Sequence, residues 1–129
     1  QRLEGFRDAM GSRFTGAQII SSESYGEEAA SILEEGGGRT AFFCSGDIYA
    51  MDIMKYLKAR GKRAPKDYGI MGFDDIELLE YLSPRLSTIY NSVEEVAKRA
   101  VELLFDEMEG REIAMETYER YRLVQGETL

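Results

Sequence analysis

Short apolar runs alternate with helix-spaced apolar stripes along the whole chain. Leu3, Phe6 and Met10 recur at helical spacing between charged residues, which predicts an amphipathic helix over 1–10 with no capping residue in front of it. Residues 17–20 (AQII) read as a short strand. The polar cluster Ser21-Ser22-Glu23-Ser24 follows, and Ser22 or Ser24 can cap a helix over 25–35 whose core stripe is Ala29, Ile32 and Leu33. Gly36-Gly37-Gly38 ends it. Residues 40–44 (TAFFC) form a continuous apolar run of strand length, the pattern of a strand buried on both faces. Ser45-Gly46-Asp47 turns that strand into a helix to about residue 60, whose apolar positions Ile48, Met51, Tyr56 and Leu57 do not make one clean stripe.

Gly61 closes that helix and Pro65 breaks the chain. Residues 68–73 predict another buried strand, ending at Asp74-Asp75, and a short helix over 76–82 is stopped by Ser83-Pro84. Residues 86–90 are strand-like. Ser92 then caps a long helix to 109, with Glu95 at the capping-box position and a stripe of Val93, Val96, Ala97, Ala100, Leu104 and Met108. Gly110 ends it, and the charged, alternating segment 118–124 suits an edge strand.

Strands and helices therefore alternate, and nothing in the chain repeats. The pattern predicts an α/β fold: a three-layer sandwich with a mostly parallel central sheet and helices on both faces. Open sheets of this kind bind ligands at the carboxyl ends of their strands. That rule singles out Ser21, then Ser45-Gly46-Asp47, then Asp74-Asp75, then Asn91.

Composition narrows the chemistry those ends can perform. With no His among 129 residues, neither a Ser-His-Asp nor a Cys-His arrangement is possible. The single thiol, Cys44, excludes an internal disulfide and a cysteine zinc site, and its place in the run AFFC reads as a buried core thiol. Sixteen Lys and Arg against 24 Asp and Glu leave a net charge of −8, which repels phosphate backbones. Any contact with DNA must come from a segment outside this chain. No apolar run is long enough to span a membrane and the first ten residues do not resemble a signal peptide, so the expected compartment is the cytoplasm. Glycine motifs for dinucleotides or nucleoside triphosphates are absent, as is a GxSxG elbow.

The two acids after the second buried strand are the most chemical-looking element. Adjacent residues on an extended chain point to opposite sides, which leaves two readings: one of Asp74 and Asp75 faces the crevice while the other caps the helix that follows, or both are helix-capping or solvated acids. An acid facing the crevice can accept hydrogen bonds from sugar or nucleoside hydroxyls or hold a divalent cation. Asp47, after Gly46, reads as a cap for its helix.

Taken jointly, these strand ends resemble the effector domain of LacI/GalR-type bacterial transcription regulators. The resemblance rests on Arg2-Leu3-x-Gly5-Phe6, the strand ending in a small residue before Asp47, the helix exit at 57–67, Gly72-Phe73-Asp74-Asp75 and the Pro84-x-Leu86-Ser87-Thr88-Ile89 segment. It covers essentially all of the chain. It implies a periplasmic-binding-protein-like fold and makes residues 1–129 the C-terminal lobe of a two-lobed effector-binding domain. Helix 92–109 would pack on the first lobe, and the DNA-binding helix-turn-helix would lie outside the chain, which is then a fragment.

Carried over position by position, the resemblance makes Arg2 and Asp74 effector contacts, with Ser21, Ser45, Gly46 and Asn91 as further ligand-binding positions. Ser21 stands where the family usually has an aromatic, and Gly46 where it often has Asn. The family's dimer surface falls on Met51, Met54, Lys55, Leu78, Tyr81 and Leu82. The implied partners are a small polar effector, sugar-like or nucleoside-like, and a second copy as a homodimer or swapped oligomer. No cofactor, metal, membrane or catalytic residue is implied. The rival readings are a solute-binding protein of an uptake system, which shares the fold, and a small metal-carboxylate enzyme built on Asp47 and Asp74.

Overall fold

A computed structural model describes residues 2–16, 19–113 and 121–129. The order of elements is α1 (Arg2–Met10), a 3-10 helix (Gly11–Gly16), α2 (Tyr25–Glu35), β1 (Ala41–Phe43), α3 (Asp47–Ala59), β2 (Gly69–Met71), a 3-10 helix (Glu77–Tyr81), β3 (Thr88–Tyr90), α4 (Val93–Met108) and β4 (Arg122–Val124). β1 and β2 run parallel in the register Ala41 to Gly69 and Phe43 to Met71. Isolated parallel bridges from Met71 to Ser87 and from Asp74 to Tyr90 carry the sheet on from β2 to the β3 segment. β4 then pairs antiparallel with β3. The result is the α/β architecture with a mostly parallel sheet that the alternation predicts.

The core sits where α2 and α3 meet the strands. Ala29 and Ala30 of α2, Ala50, Ile53 and Leu57 of α3, and Tyr68, Ile70, Leu79 and Leu86 form one buried cluster. Small residues on α2 let α3 approach closely: a Cβ at Gly26 would stand 3.0 Å from the Tyr56 ring. Phe42 turns into this cluster and meets Tyr68 edge-on. Phe43, one residue on, turns to the other face of the strand, where Phe6 of α1 stacks on it at 5.6 Å.

The chain's last residues complete the sheet. Thr128 accepts from the Ser87 amide at 2.9 Å and donates to the Ile70 carbonyl at 2.7 Å, filling the space beside the start of β2. Gly126 lies so close to the Arg85 and Leu86 backbone that any Cβ there would collide with it.

Several expectations change. Of the strand at 17–20, residues 17 and 18 lie outside the described residues, and Ile19 and Ile20 form no strand; they line a groove beside β1. β1 is not buried on both faces. It is the outer strand of the described sheet, so Ala41 and Phe43 are exposed. The buried stripe of α3 is Ala50, Ile53 and Leu57, with Ile48 turned outward. The segment 76–82 is a 3-10 turn and not an α-helix. Residue 1 of the first helix and residues 118–120 of the last strand lie outside the described residues, while Arg122–Val124 is the strand β4.

α4 is capped as expected, with the Ser92 hydroxyl accepting from the Glu95 amide at 3.3 Å. Its apolar stripe, however, is left open among the described residues: no residue of α4 is buried, and Val93, Val96, Leu104 and Met108 are exposed.

Candidate functional site

The carboxyl ends of β1, β2 and β3 converge on one buried carboxylate. Asp47, 1% exposed, begins α3, but it does not cap that helix: Gly46 occupies the cap position and no side chain caps it. Its Oδ2 accepts from the Ile76 amide at 3.0 Å and its Oδ1 from the Thr88 hydroxyl at 2.5 Å. Its own amide donates to the Phe73 carbonyl at 2.8 Å. A carboxyl group whose two oxygens are both hydrogen-bonded is tolerated inside. Gly72 makes the arrangement possible, since a Cβ there would run into Asp47 Oδ1.

This tie holds the turn that carries the two acids. Asp74 has φ of 112° and Asp75 φ of 56°, both in regions that L-residues seldom adopt. The turn is fixed from outside by the Asp47 contacts and by the Asp74 amide donating to the Ile89 carbonyl at 2.9 Å. The expected division of labour is therefore corrected. Asp75 does not cap the segment that follows, because Ile76 fills the cap position and its amide is already bonded to Asp47.

Asp74 is the acid that meets the other candidates. Arg2 reaches it from α1, with Nη2 at 3.4 Å from Oδ1, while Nη1 donates to the Ser45 carbonyl. The guanidinium lies 3.9 Å above the Phe73 ring, a cation–π seat that fixes its plane. Asn91, at the end of β3, points its Nδ2 at the same Oδ1 from 3.4 Å. Gly46 adjoins the cluster: a Cβ there would stand 3.7 Å from Asp74 Oδ2.

Five of the six positions expected to bind ligand, Arg2, Ser45, Gly46, Asp74 and Asn91, thus meet at one place. Ser21, the sixth, is exposed. It shares with Arg2 and Ser45 the wall of an open groove of ≈ 1180 Å³.

The arrangement offers a forked cation, a carboxylate and a side-chain amide, all partly open to solvent. Such a set recognises a small ligand with several hydroxyl or ring-nitrogen groups by directed hydrogen bonds. A metal-carboxylate centre on Asp47 and Asp74 does not fit, since both Asp47 oxygens are used within the protein. Cys44, beside the site, is a buried thiol pushed up to about 12 by burial and secondarily by Asp47, which makes it a poor nucleophile. Sequence reasoning missed the tie role of Asp47. Its partners are 29 and 41 residues away, and no spacing signal links them.

Of the expected dimer residues, Met51, Met54 and Leu82 are half-buried against the chain's own core. Lys55, Leu78 and Tyr81 face outward, Tyr81 at 84% exposure.

The family model of the periplasmic binding protein-like domain matches residues 1–129. The HTH-type transcriptional repressor PurR of Vibrio cholerae serotype O1 (strain M66-2) is 30% identical over 141 residues, covering 100% of this chain and 41% of the repressor. The ribose operon repressor of Haemophilus influenzae is 46% identical over 74 residues, 57% of this chain and 22% of that protein. Among solved structures, a LacI family transcriptional regulator from Enterococcus faecium with bound ribose superposes with a TM-score of 0.81 at 27% identity, covering 98% of this chain and 50% of that one. The chain therefore spans about half the length, or less, of the relatives it matches.

Proposed function

The chain belongs to the periplasmic binding protein-like domain family, and from that premise we propose that it is the effector-binding, C-terminal lobe of a LacI-type transcription regulator. The observation that carries the reading is the convergence of Arg2, Asp74 and Asn91 at the strand ends. Arg2 and Asp74 hold each other at 3.4 Å, long for a charge-assisted bond, so a ligand hydroxyl that enters between them gains shorter bonds to both. Its relatives named as repressors favour a regulator over an uptake protein or an enzyme.

In the whole protein the ligand would sit between this lobe and a second one. Ligand binding would favour one arrangement of the lobes, and the population shift would change how DNA-binding segments outside this chain are presented. As a transcription regulator it would work in the cytoplasm, the compartment in which its repressor relatives would meet DNA; among the described residues no helix is long and apolar enough to cross a membrane. Dimer contacts would use the outward face of Lys55, Leu78 and Tyr81, continued by the half-buried Met51, Met54 and Leu82.

Calorimetric titration of the chain with D-ribose tests the reading. Binding is expected, and Asp74→Asn should weaken it by roughly 10- to 100-fold, the cost of losing a hydrogen bond to a charged group. Equal affinity in the two proteins, or no binding by the unaltered chain, overturns it. At physiological salt the chain alone should bind no DNA.

A further inference from the structure

We infer that Tyr49 is the surface on which the ligand ring stacks, and that it selects a cyclic sugar over an open-chain polyol. The inference rests on the effector-binding reading of the Arg2–Asp74 cluster. Three observations carry it.

First, the Tyr49 ring adjoins the acid. A single carbon placed at Gly46 would touch Tyr49 Cδ2 at 3.5 Å, Tyr49 Cε2 at 3.7 Å and Asp74 Oδ2 at 3.7 Å. Gly46 has no side chain and so leaves that space empty, although its extended backbone, φ −163°, would accept one. An atom of a ligand that reaches this space meets an aromatic ring and a carboxylate oxygen together.

Second, Tyr49 is open to the groove. It is 49% exposed and shares the groove wall with Arg2 and Ser45. Large aromatics usually bury most of their area, and an exposed ring beside convergent polar groups is the composition of a small-molecule site.

Third, the ring is held before any ligand arrives. Tyr25 meets it edge-on at 5.7 Å and 89°, and the Tyr25 hydroxyl is fixed by a 2.7 Å bond to Asp52 Oδ2. A ring whose orientation is set by its neighbours loses little freedom on binding, so its contact area is converted to affinity efficiently.

The ligand that fits such a pairing has one face of C–H groups and a rim of hydroxyls. A furanose or pyranose ring has both. An acyclic polyol has the hydroxyls without the flat apolar face, so it engages Asp74 and gains little from Tyr49.

The test is calorimetry with D-ribose and ribitol on the chain and on Tyr49→Phe, Tyr49→Leu and Gly46→Ala. Ring stacking of ordinary strength corresponds to about a 3- to 10-fold loss of D-ribose affinity in Tyr49→Leu, with Tyr49→Phe close to the unaltered chain. Ribitol should bind more weakly than D-ribose, and that preference should vanish in Tyr49→Leu. Gly46→Ala, which fills the shared space, should also weaken D-ribose. The chain contains no Trp, so Tyr49→Trp places one reporter at the site, and its emission should change on saturation with D-ribose.

Unchanged D-ribose affinity in Tyr49→Leu overturns the inference; if Asp74→Asn still weakens binding, the effector-binding reading stands without it. Binding that ignores Asp74→Asn, or no binding to the unaltered chain, removes that reading and this inference with it.

Discussion

Two helices of this chain make opposite use of their apolar residues. α4 carries the cleaner stripe in sequence, yet none of its residues is buried. α3 carries a ragged pattern and buries Asp47, Ala50, Ile53 and Leu57. An amphipathic pattern specifies which face of a helix prefers to leave water; it does not supply the surface that will cover it. α3 lies across the strands and against α2, so it has a partner. For α4, leaving several Val, Leu, Phe and Met side chains in solvent forgoes ~1.5–3 kcal/mol each. In the two-lobed reading the missing surface belongs to the first lobe.

Substitution on the two helices is the most direct way to break this comparison. Leu57→Ala on α3, at a site 1% exposed, should lower stability by ~2–5 kcal/mol in urea unfolding. If it costs no more than a surface change, the core is not where α3 meets the sheet.

The tie at the head of α3 comes next. Asp47→Ala leaves the Ile76 amide and the Thr88 hydroxyl without their acceptor and should cost ~1–3 kcal/mol. Amide exchange should accelerate first over residues 73–76, the turn in which Asp74 and Asp75 hold positive φ. Exchange that accelerates equally in α2 would show that Asp47 supports the whole fold and not this turn.

Alkaline pH probes the same core through its acids. Cys44 is raised from 9.0 to about 12 by burial and then Asp47, and Tyr68 from 10.0 to about 12 by burial and then Asp67. Both folded values lie above the unfolded ones. The stability they protect is therefore complete below pH 9 and lost as the pH rises from 9.0 toward about 12, Cys44 acting first. At one unit above 9.0 the Cys44 contribution amounts to about 1 kcal/mol. Cys44→Ala should delay the onset of this loss to the tyrosine range; an unfolding profile identical to that of the unaltered chain would contradict the burial of the thiol.

The smallest effect is expected on α4. Leu104→Gln should change monomer stability by no more than ~0.5 kcal/mol, as at other exposed positions. The same variant should reduce self-association seen by sedimentation at high concentration. A cost comparable to that of Leu57→Ala would mean that the stripe is covered in solution, by a second copy or by refolding of the helix.

Much of the site was legible in the sequence because a parallel sheet sends its strand ends to one side. Knowing that β1, β2 and β3 end near Ser45, Asp74 and Asn91 was enough to bring those residues together, and the resemblance added Arg2. The roles of the paired acids were less legible. The expectation that Asp75 caps the next segment assumed an extended strand through residue 75. The positive φ of Asp74 and Asp75 breaks that assumption, and Asp47 takes the Ile76 amide instead. Asp47 was read as a local cap because an acid at a helix start is usually one. The alternative, a bond to Thr88 across the sheet, has no trace in local sequence.

What the sequence determined by itself was the alternation of helix and strand from α2 to α4, the parallel run of β1, β2 and β3, and the lack of imidazole. These follow from side-chain periodicity and composition, which are properties of short stretches of chain. Only the tertiary structure decided that Asp47 is an internal tie, that Tyr49 stands beside Asp74, and that the best-patterned helix, α4, buries none of its residues. Each of these depends on which distant backbone or side chain arrives in the third dimension, and that information is not contained in any local spacing.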